Sequence, residues 1–313
     1  MYKRQINPTH STQKSVLLIA NNYIDVVNNT TGFTAKINPI DDTNFINNLT
    51  DNTQIYIGDY DGDKKLDIFM KDHTESPSCY RYRALFTGFD GLFFNKEFDT
   101  CGRDAIEEID HEAFFTSNDA KIYVGDYNGD GKDDLFVKGY QKYKGLYLSE
   151  VDDTSGNFTG FNKFFMDDND ANATYGLDNE DFFTHEDAKI YTGDFDGNGT
   201  TDLFVNGYQN HRQLYLAHQK IVNNTVLVKF IRVFKENQET VDFSGINNDL
   251  LFTSPHTKIF TGDFNDDNKT DLFVKGNNNF TGVYLANSYG NGFNSFVSEE
   301  NEEIINNLSL IHI

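Results

Sequence analysis

The sequence predicts an all-β protein, a β-propeller of four-stranded blades, on three observations. Four short acidic stretches recur, each set between β-branched and aromatic runs that read as strands. Their first aspartates stand at positions 59, 126, 194 and 263, so the period is nearly constant. Each interval also holds further apolar stretches of strand length, enough for four short strands per unit.

The acidic stretch of the second unit, GDYNGDGKDDLFVKG, crowds carboxylates into a tight turn. Like charges about 4 Å apart repel by roughly 4 kcal/mol per pair at an effective dielectric near 20. Such a turn resists folding unless a cation sits inside it. Counted from Asp126 as position 1, oxygen-bearing side chains fall at positions 1, 3, 5 and 9, namely Asp126, Asn128, Asp130 and Asp134. Hard cations such as Ca²⁺ gather six to eight oxygens, some from backbone carbonyls, and position 7, Lys132, is expected to supply its carbonyl. An EF-hand loop starts the same way but needs Glu at position 12, where this chain has Val137. The unit is therefore strand, calcium loop, strand.

The other three loops repeat the pattern: Asp59, Asp61, Asp63, Lys65 and Asp67; Asp194, Asp196, Asn198, Thr200 and Asp202; Asp263, Asn265, Asp267, Lys269 and Asp271. Polar turns favour Asp, Asn and Gly in any protein, but turn chemistry does not explain an oxygen ligand at position 9 in all four units. About four structural Ca²⁺ sites are expected. The second and third loops carry glycine at positions 4 and 6 and should form most easily, whereas the fourth has Asp266 and Asn268 there and is the least typical.

Self-similarity at a fixed period outranks any local reading. A third strand recurs as GLYLS (145–149), QLYLA (213–217) and GVYLA (282–286), and a weaker fourth follows, as in NFTGFNKFF (157–165). The expected units are 6–40, the C-terminal half of a preceding blade, then blades at 41–110, 111–178, 179–246 and 247–300. About four to five blades are thus present. Seven at this period would need more than the 313 residues here, so the chain is expected to be a fragment of a longer propeller. The ends 1–5 (MYKRQ) and 308–313 (LSLIHI) fit neither the repeat nor each other and are read as non-native.

The D-x-[DN]-x-[DN]-x-x-x-D loop between apolar strands resembles the FG-GAP/VCBS repeat family, the calcium-binding blades of integrin α-subunit heads and of related microbial and fungal lectin propellers. The resemblance spans roughly residues 15 to 297. The Phe-Gly and Gly-Ala-Pro signatures of the family are absent, which places the chain among outlying VCBS-like members. The resemblance implies calcium-stabilised blades, a secreted or cell-surface location, and a lectin-like or adhesive role. It also implies ligand binding on the face opposite the calcium loops. In a four-stranded meander the loops between second and third strands reach that face, where KGYQKYKG and NGYQNHRQ offer Tyr140, Gln141, Tyr208, Gln209, His211 and Arg212 to a sugar or protein ligand.

Composition narrows the partners. A formal charge of −23 argues against nucleic-acid backbones and anionic membranes, both of which need a basic footprint. No apolar run approaches the ~18 residues of a membrane-spanning helix. Cys79 and Cys101 flank the strand YRYRALFTGF and, in an oxidising compartment, would be placed to bridge neighbouring loops; two free thiols are the equal alternative. His111, His185 and His256 lie near the strands that precede calcium loops but share no register, and no triad, acid/base pair, phosphate loop or Cys-based zinc motif accompanies them. The expectation is a non-catalytic binding or adhesion module for carbohydrate or protein. The alternatives are the scaffold of a carbohydrate-active enzyme, such as a polysaccharide lyase, and a purely structural repeat domain.

Overall fold

The computed structural model describes residues 18–20, 33–35, 54–73, 80–87, 93–99, 120–138, 144–152, 154, 156, 158–167, 176–177, 185–206, 212–222, 225–236, 256–276 and 281–298. Every regular element among them is a β-strand. A short antiparallel pair, β1 (Leu18–Ala20) with β2 (Phe33–Ala35), precedes four sheets of four strands each. Sheet I holds β3 (Gln54–Gly58), β4 (Asp67–His73), β5 (Tyr80–Thr87) and β6 (Phe93–Asp99). Sheet II holds β7 (Lys121–Gly125), β8 (Asp134–Lys138), β9 (Lys144–Val151) and β10 (Phe158–Asp167). Sheet III holds β11 (Lys189–Gly193), β12 (Asp202–Asn206), β13 (Arg212–Val222) and β14 (Thr225–Glu236). Sheet IV holds β15 (Lys258–Gly262), β16 (Asp271–Lys275), β17 (Thr281–Ala286) and β18 (Phe293–Ser298).

Each sheet is an antiparallel meander whose spatial order is its chain order. The register of the first hairpin is identical in all four: Gly58 pairs with Asp67, Gly125 with Asp134, Gly193 with Asp202 and Gly262 with Asp271. Position 9 of each acidic loop is thus the first residue of the second strand, directly opposite the glycine that ends the first. Second strands such as DLFVK in β8 are buried along their whole length, which suits their run of apolar side chains on both faces. Bulges interrupt the pairing of the fourth strand in sheets II, III and IV, adding local twist.

The core lies between sheets. Tyr60 and Phe69 of sheet I pack with Ile122, Leu135, Val137, Tyr147, Phe158 and Phe161 of sheet II. Tyr127, Phe136 and Leu146 of sheet II meet Ile190, Leu203, Tyr215 and Phe230 of sheet III. Phe195, Phe204 and Leu214 of sheet III meet Ile259, Leu272, Tyr284 and Phe293 of sheet IV. The first strands of consecutive sheets also approach one another, β3 with β7, β7 with β11 and β11 with β15. At each junction aromatic edges meet aromatic faces: Tyr60 and Phe161 centroids lie 5.6 Å apart at 85°, and Phe195 and Phe293 lie 5.7 Å apart at 81°. No helix of the described residues is long and apolar enough to cross a membrane.

Candidate metal centres

Each acidic loop is held by its position-1 aspartate. The N–H groups of Gly129 and Asp130 donate to Asp126 Oδ1 at 2.6 and 3.1 Å, and that of Gly131 donates to Oδ2 at 2.8 Å. Asp59, Asp194 and Asp263 take the equivalent N–H groups of their own loops. Those N–H groups point inward because positions 4 and 6 are left-handed in every loop, with φ of 72° and 84° at Gly129 and Gly131. The fourth loop reaches the same conformation with Asp266 at 61° and Asn268 at 64°, and the first with Lys64 at 66°. Loops with and without glycine therefore share one shape, and the non-glycine ones carry the steric cost.

Position 9 does more than face a cavity. Asp134 is fully buried, and its Oδ2 accepts the Tyr127 N–H at 3.1 Å while Oδ1 accepts the Ser149 N–H at 2.8 Å from the third strand. Asp202 repeats this with Phe195 and Ala217, and Asp271 with Phe264 and Ala286. One carboxylate thus clamps the loop, the second strand and the third strand. Its role as a clamp has no trace in the ligand spacing, because the donors from the third strand lie 15 residues away.

Burial is the main force on these groups. It pushes the Asp202 carboxyl up to about 8, against the pull of the Ala217 and Phe195 N–H groups and with the help of Asp196 and Asp194. The carboxyls of Asp134, Asp271 and Asp126 are raised for the same first reason, as are those of Asp61 and Asp196. Two loops bring three carboxylates within 4.8 Å of one another: Asp59, Asp61 and Asp63 in the first, and Asp194, Asp196 and Asp202 in the third. In the second and fourth loops position 3 is an amide, and its oxygen accepts a loop N–H: Asn128 from Asp130 at 2.9 Å, Asn265 from Asp267 at 3.2 Å. An all-oxygen, strongly anionic donor set suits a hard cation of the Ca²⁺ or Mg²⁺ kind and offers nothing to a soft one.

Position 7 contributes its side chain, which the spacing argument left out. The ammonium groups of Lys65 and Lys132 pair with Asp63 and Asp130, the position-5 carboxylates of their own loops. Lys269 instead donates to the Asn287 carbonyl at 2.9 Å. Thr200 donates its hydroxyl to the Ala217 carbonyl at 2.6 Å, so the third loop has no cation of its own at this position.

Compared with protein-family models the chain matches none, and compared with curated proteins it also matches none.

Consecutive loops are stitched together by residues that the metal pattern does not include. The position-8 N–H of one loop donates to the position-1 carbonyl of the loop before: Asp133 to Asp59 at 2.7 Å, Thr201 to Asp126 at 2.6 Å and Thr270 to Asp194 at 2.6 Å. Asp133 also accepts the Asp59 N–H at 2.8 Å. The glycine before the position-1 aspartate in the first three loops makes room for this contact. A Cβ at Gly125 would lie 2.5 Å from Thr201 Cγ2, one at Gly58 2.6 Å from Val124 Cγ1, and one at Gly193 2.6 Å from Thr270 Oγ1. The recurring Gly-Asp pair in the sequence was the available signal.

Tyr140, Gln141, Tyr208, Gln209 and His211 lie outside the described residues, as do Cys79, Cys101 and His111. Arg212 opens β13 and is buried there, pairing across strands with Asn206 and Glu236. Nearby, Lys138 donates to the carbonyls of His185 and Ala188, tying sheet II to the segment that leads into β11. His256 is exposed, and His185 lies 3.5 Å from the Asp187 carboxylate.

Proposed function

We propose that the chain is a calcium-stabilised β-propeller of the FG-GAP/VCBS type, or an arc of one, that works outside the cell as a non-catalytic binding or adhesion module for carbohydrate or protein. The observation that carries this reading is the fourfold recurrence of one acidic hairpin, in the same register and with the same left-handed positions, two copies of which gather three carboxylates within 4.8 Å. The radial arrangement is supported by first strands that neighbour one another from sheet to sheet while all other strands follow in meander order.

The side chains at positions 1, 3, 5 and 9 would hold the ion, with Thr200 or the position-7 carbonyl beside them. A bound Ca²⁺ supplies positive charge where desolvated carboxylates otherwise repel or take up protons. The protein's own part is to preorganise the turn through the position-1 carboxylate and to join each turn to three strands through position 9. Tyr140, Gln141, Tyr208 and Gln209, from the sequence between second and third strands, are the residues proposed to meet a ligand.

The test is chelation. Melting in calcium and in EGTA is expected to show a lower midpoint without the ion, and calorimetric titration is expected to show about four sites of millimolar or tighter affinity. Asp130→Ala should remove one of them, whereas Asp104→Ala, outside the loops, should leave all. An unchanged melt, or no titratable heat from calcium, would overturn the metal reading. A glycan array then tests the binding half, with Tyr140→Ala and Tyr208→Ala expected to abolish whatever signal the parent shows.

A further inference from the structure

Sheet III carries an extension that sheet IV beside it does not share. Asp202 takes the Ala217 N–H of β13, and Asp271 takes the Ala286 N–H of β17. β17 ends at Ala286, whereas β13 runs on past Ala217 and stays paired with β14 as far as Val222 and Thr225. At about 3.3 Å per residue the ribbon reaches about 16 Å beyond the Asp202 clamp.

Successive side chains of the ribbon alternate between two faces. On one, Ala217, Val228 and Phe230 are buried in the layer toward sheet II. The other begins at Leu216, buried in the layer toward sheet IV. Farther out sheet IV no longer covers it: His218 is half-buried, and Lys220, Lys229 and Ile231 are exposed, Ile231 at 47%. His218 and Lys229 stand directly opposite each other. No carboxylate of the described residues pairs with Lys220 or Lys229. The turn between β17 and β18 lies close by. A Cβ on Gly290 would sit 2.5 Å from Asp196 Cβ, and Asp196 is within reach of the charge on His218. Tyr289, in that turn, is 87% exposed. The third loop therefore lies next to both the ribbon and an open aromatic ring.

Charge sets this ribbon apart from the rest of the chain. Residues 212–235 hold five of the 26 Lys and Arg and none of the 49 Asp and Glu. Lysines on edge strands commonly guard against unwanted strand pairing. Lys220, however, is on β13, an inner strand, and β18, the outer strand of sheet IV, has no Lys or Arg. At physiological salt charges are screened over about 8 Å, and Lys220 stands about 10 Å past the clamp, so it presents its own field.

We propose that this face binds an acidic polysaccharide built from uronic acids. Lys220 and Lys229 meet carboxylates, Tyr289 stacks under a sugar ring, and Ile231 lies against an apolar sugar face. A polymer charged as densely as a nucleic acid meets repulsion from Asp196 and the acidic body wherever it leaves the ribbon. Carboxylates spaced one to a sugar leave uncharged ring surface between them for the apolar contacts. The inference names a ligand class for the carbohydrate half of the proposed function and rests on that half, without calling on calcium.

Calorimetric titration of the full chain with a galacturonate oligomer tests it. Binding is expected at about 0.15 M ionic strength and should weaken as salt rises. Lys220→Glu with Lys229→Glu should weaken it about tenfold or more. Lys189→Glu with Lys258→Glu changes the net charge equally at exposed sites off the ribbon and should stay within about twofold. All four side chains are exposed, so both double variants should melt with the parent. Tyr289→Ala should weaken binding several-fold without altering its salt dependence. No heat from the oligomer, or an equal loss in the two double variants, overturns the proposal. Tighter binding of dextran sulfate or duplex DNA assigns the ribbon to sulfate or phosphate polymers and overturns it as well. A parent that binds neutral sugars on the glycan array but not the oligomer overturns this inference and leaves the proposed function standing.

Discussion

Lys64, Asp266 and Asn268 hold a left-handed backbone that L-residues adopt at a cost of roughly 1–2 kcal/mol, and the loops around them keep the shape of their glycine-bearing copies. The position-1 carboxylate explains how: it draws two inward N–H groups, and each is aimed only by that backbone. Lys64→Gly is therefore expected to raise unfolding stability by about 0.5–1 kcal/mol, and Gly131→Ala, where a Cβ meets nothing within 4 Å, to lower it by about 1–2 kcal/mol from backbone strain alone. Denaturant titration of the two variants, with the slope unchanged, checks both signs. Asp202 supplies a pH signature. Burial pushes its carboxyl up from an ordinary 3.8 to about 8, so between those values the folded chain is expected to hold a proton that the unfolded chain has released. Stability from this group is present below about pH 4 and is lost as pH rises toward 8. In EGTA the melting temperature is expected to fall across that window. A cation at the site favours the ionised form, so with calcium the fall should flatten or reverse. Parallel slopes in the two buffers would contradict a cation at Asp202.

At the scale of the element, the unit that repeats is a hairpin plus the hook that joins it to the next. The Asp126 carbonyl and the Gly125 Cα edge receive Thr201 so closely that a methyl group at residue 125 overlaps it. Gly125→Ala is expected to cost about 1–3 kcal/mol as an overpacked contact. Gly262→Ala, in the same sequence context but meeting only its own Phe264 at an ordinary contact of 3.5 Å, should cost under about 0.5 kcal/mol. Thr201→Gly should recover part of the Gly125→Ala loss, and a double-mutant cycle with no coupling between the two would show that the hook is not what holds the loops together. The four-strand count per unit was legible because first, second and third strands are dense in Ile, Leu, Val, Phe and Tyr. The fourth strand read weakly because bulges break its alternation, as between Lys163 and Phe165. The length of the β13–β14 hairpin, whose strands run 11 and 12 residues, had no signal in the repeat at all.

For the molecule as a whole, the apolar core is divided into layers between sheets, and each layer depends on two loops being in place. Stability should therefore respond to calcium in steps. On the proposed calcium reading, a site held at about a hundred times its dissociation constant would contribute about 2.7 kcal/mol, and its loss would loosen whichever of the three described layers border its sheet. Hydrogen exchange after Asp194→Asn is expected to show faster exchange in sheet III and in the parts of sheets II and IV packed against it than in sheet I, which shares no layer with sheet III. Uniform acceleration across all four sheets would mean that the sheets unfold as one block and not layer by layer.

The one-dimensional pattern determined the repeat, its period, the strand type and the side chains at positions 1, 3, 5 and 9, because all of these follow from local spacing and from the two-residue alternation of strands. Only the tertiary structure decided what those side chains touch. Asp134, Asp202 and Asp271 are buried clamps to a third strand, Lys65 and Lys132 lie on the carboxylates of their own loops, and Asp133, Thr201 and Thr270 lock one loop to the last. The physical reason is distance along the chain: burial and hydrogen bonding join residues 15 to 76 positions apart, and no spacing rule within a single loop reports on a partner in the next strand or the next sheet.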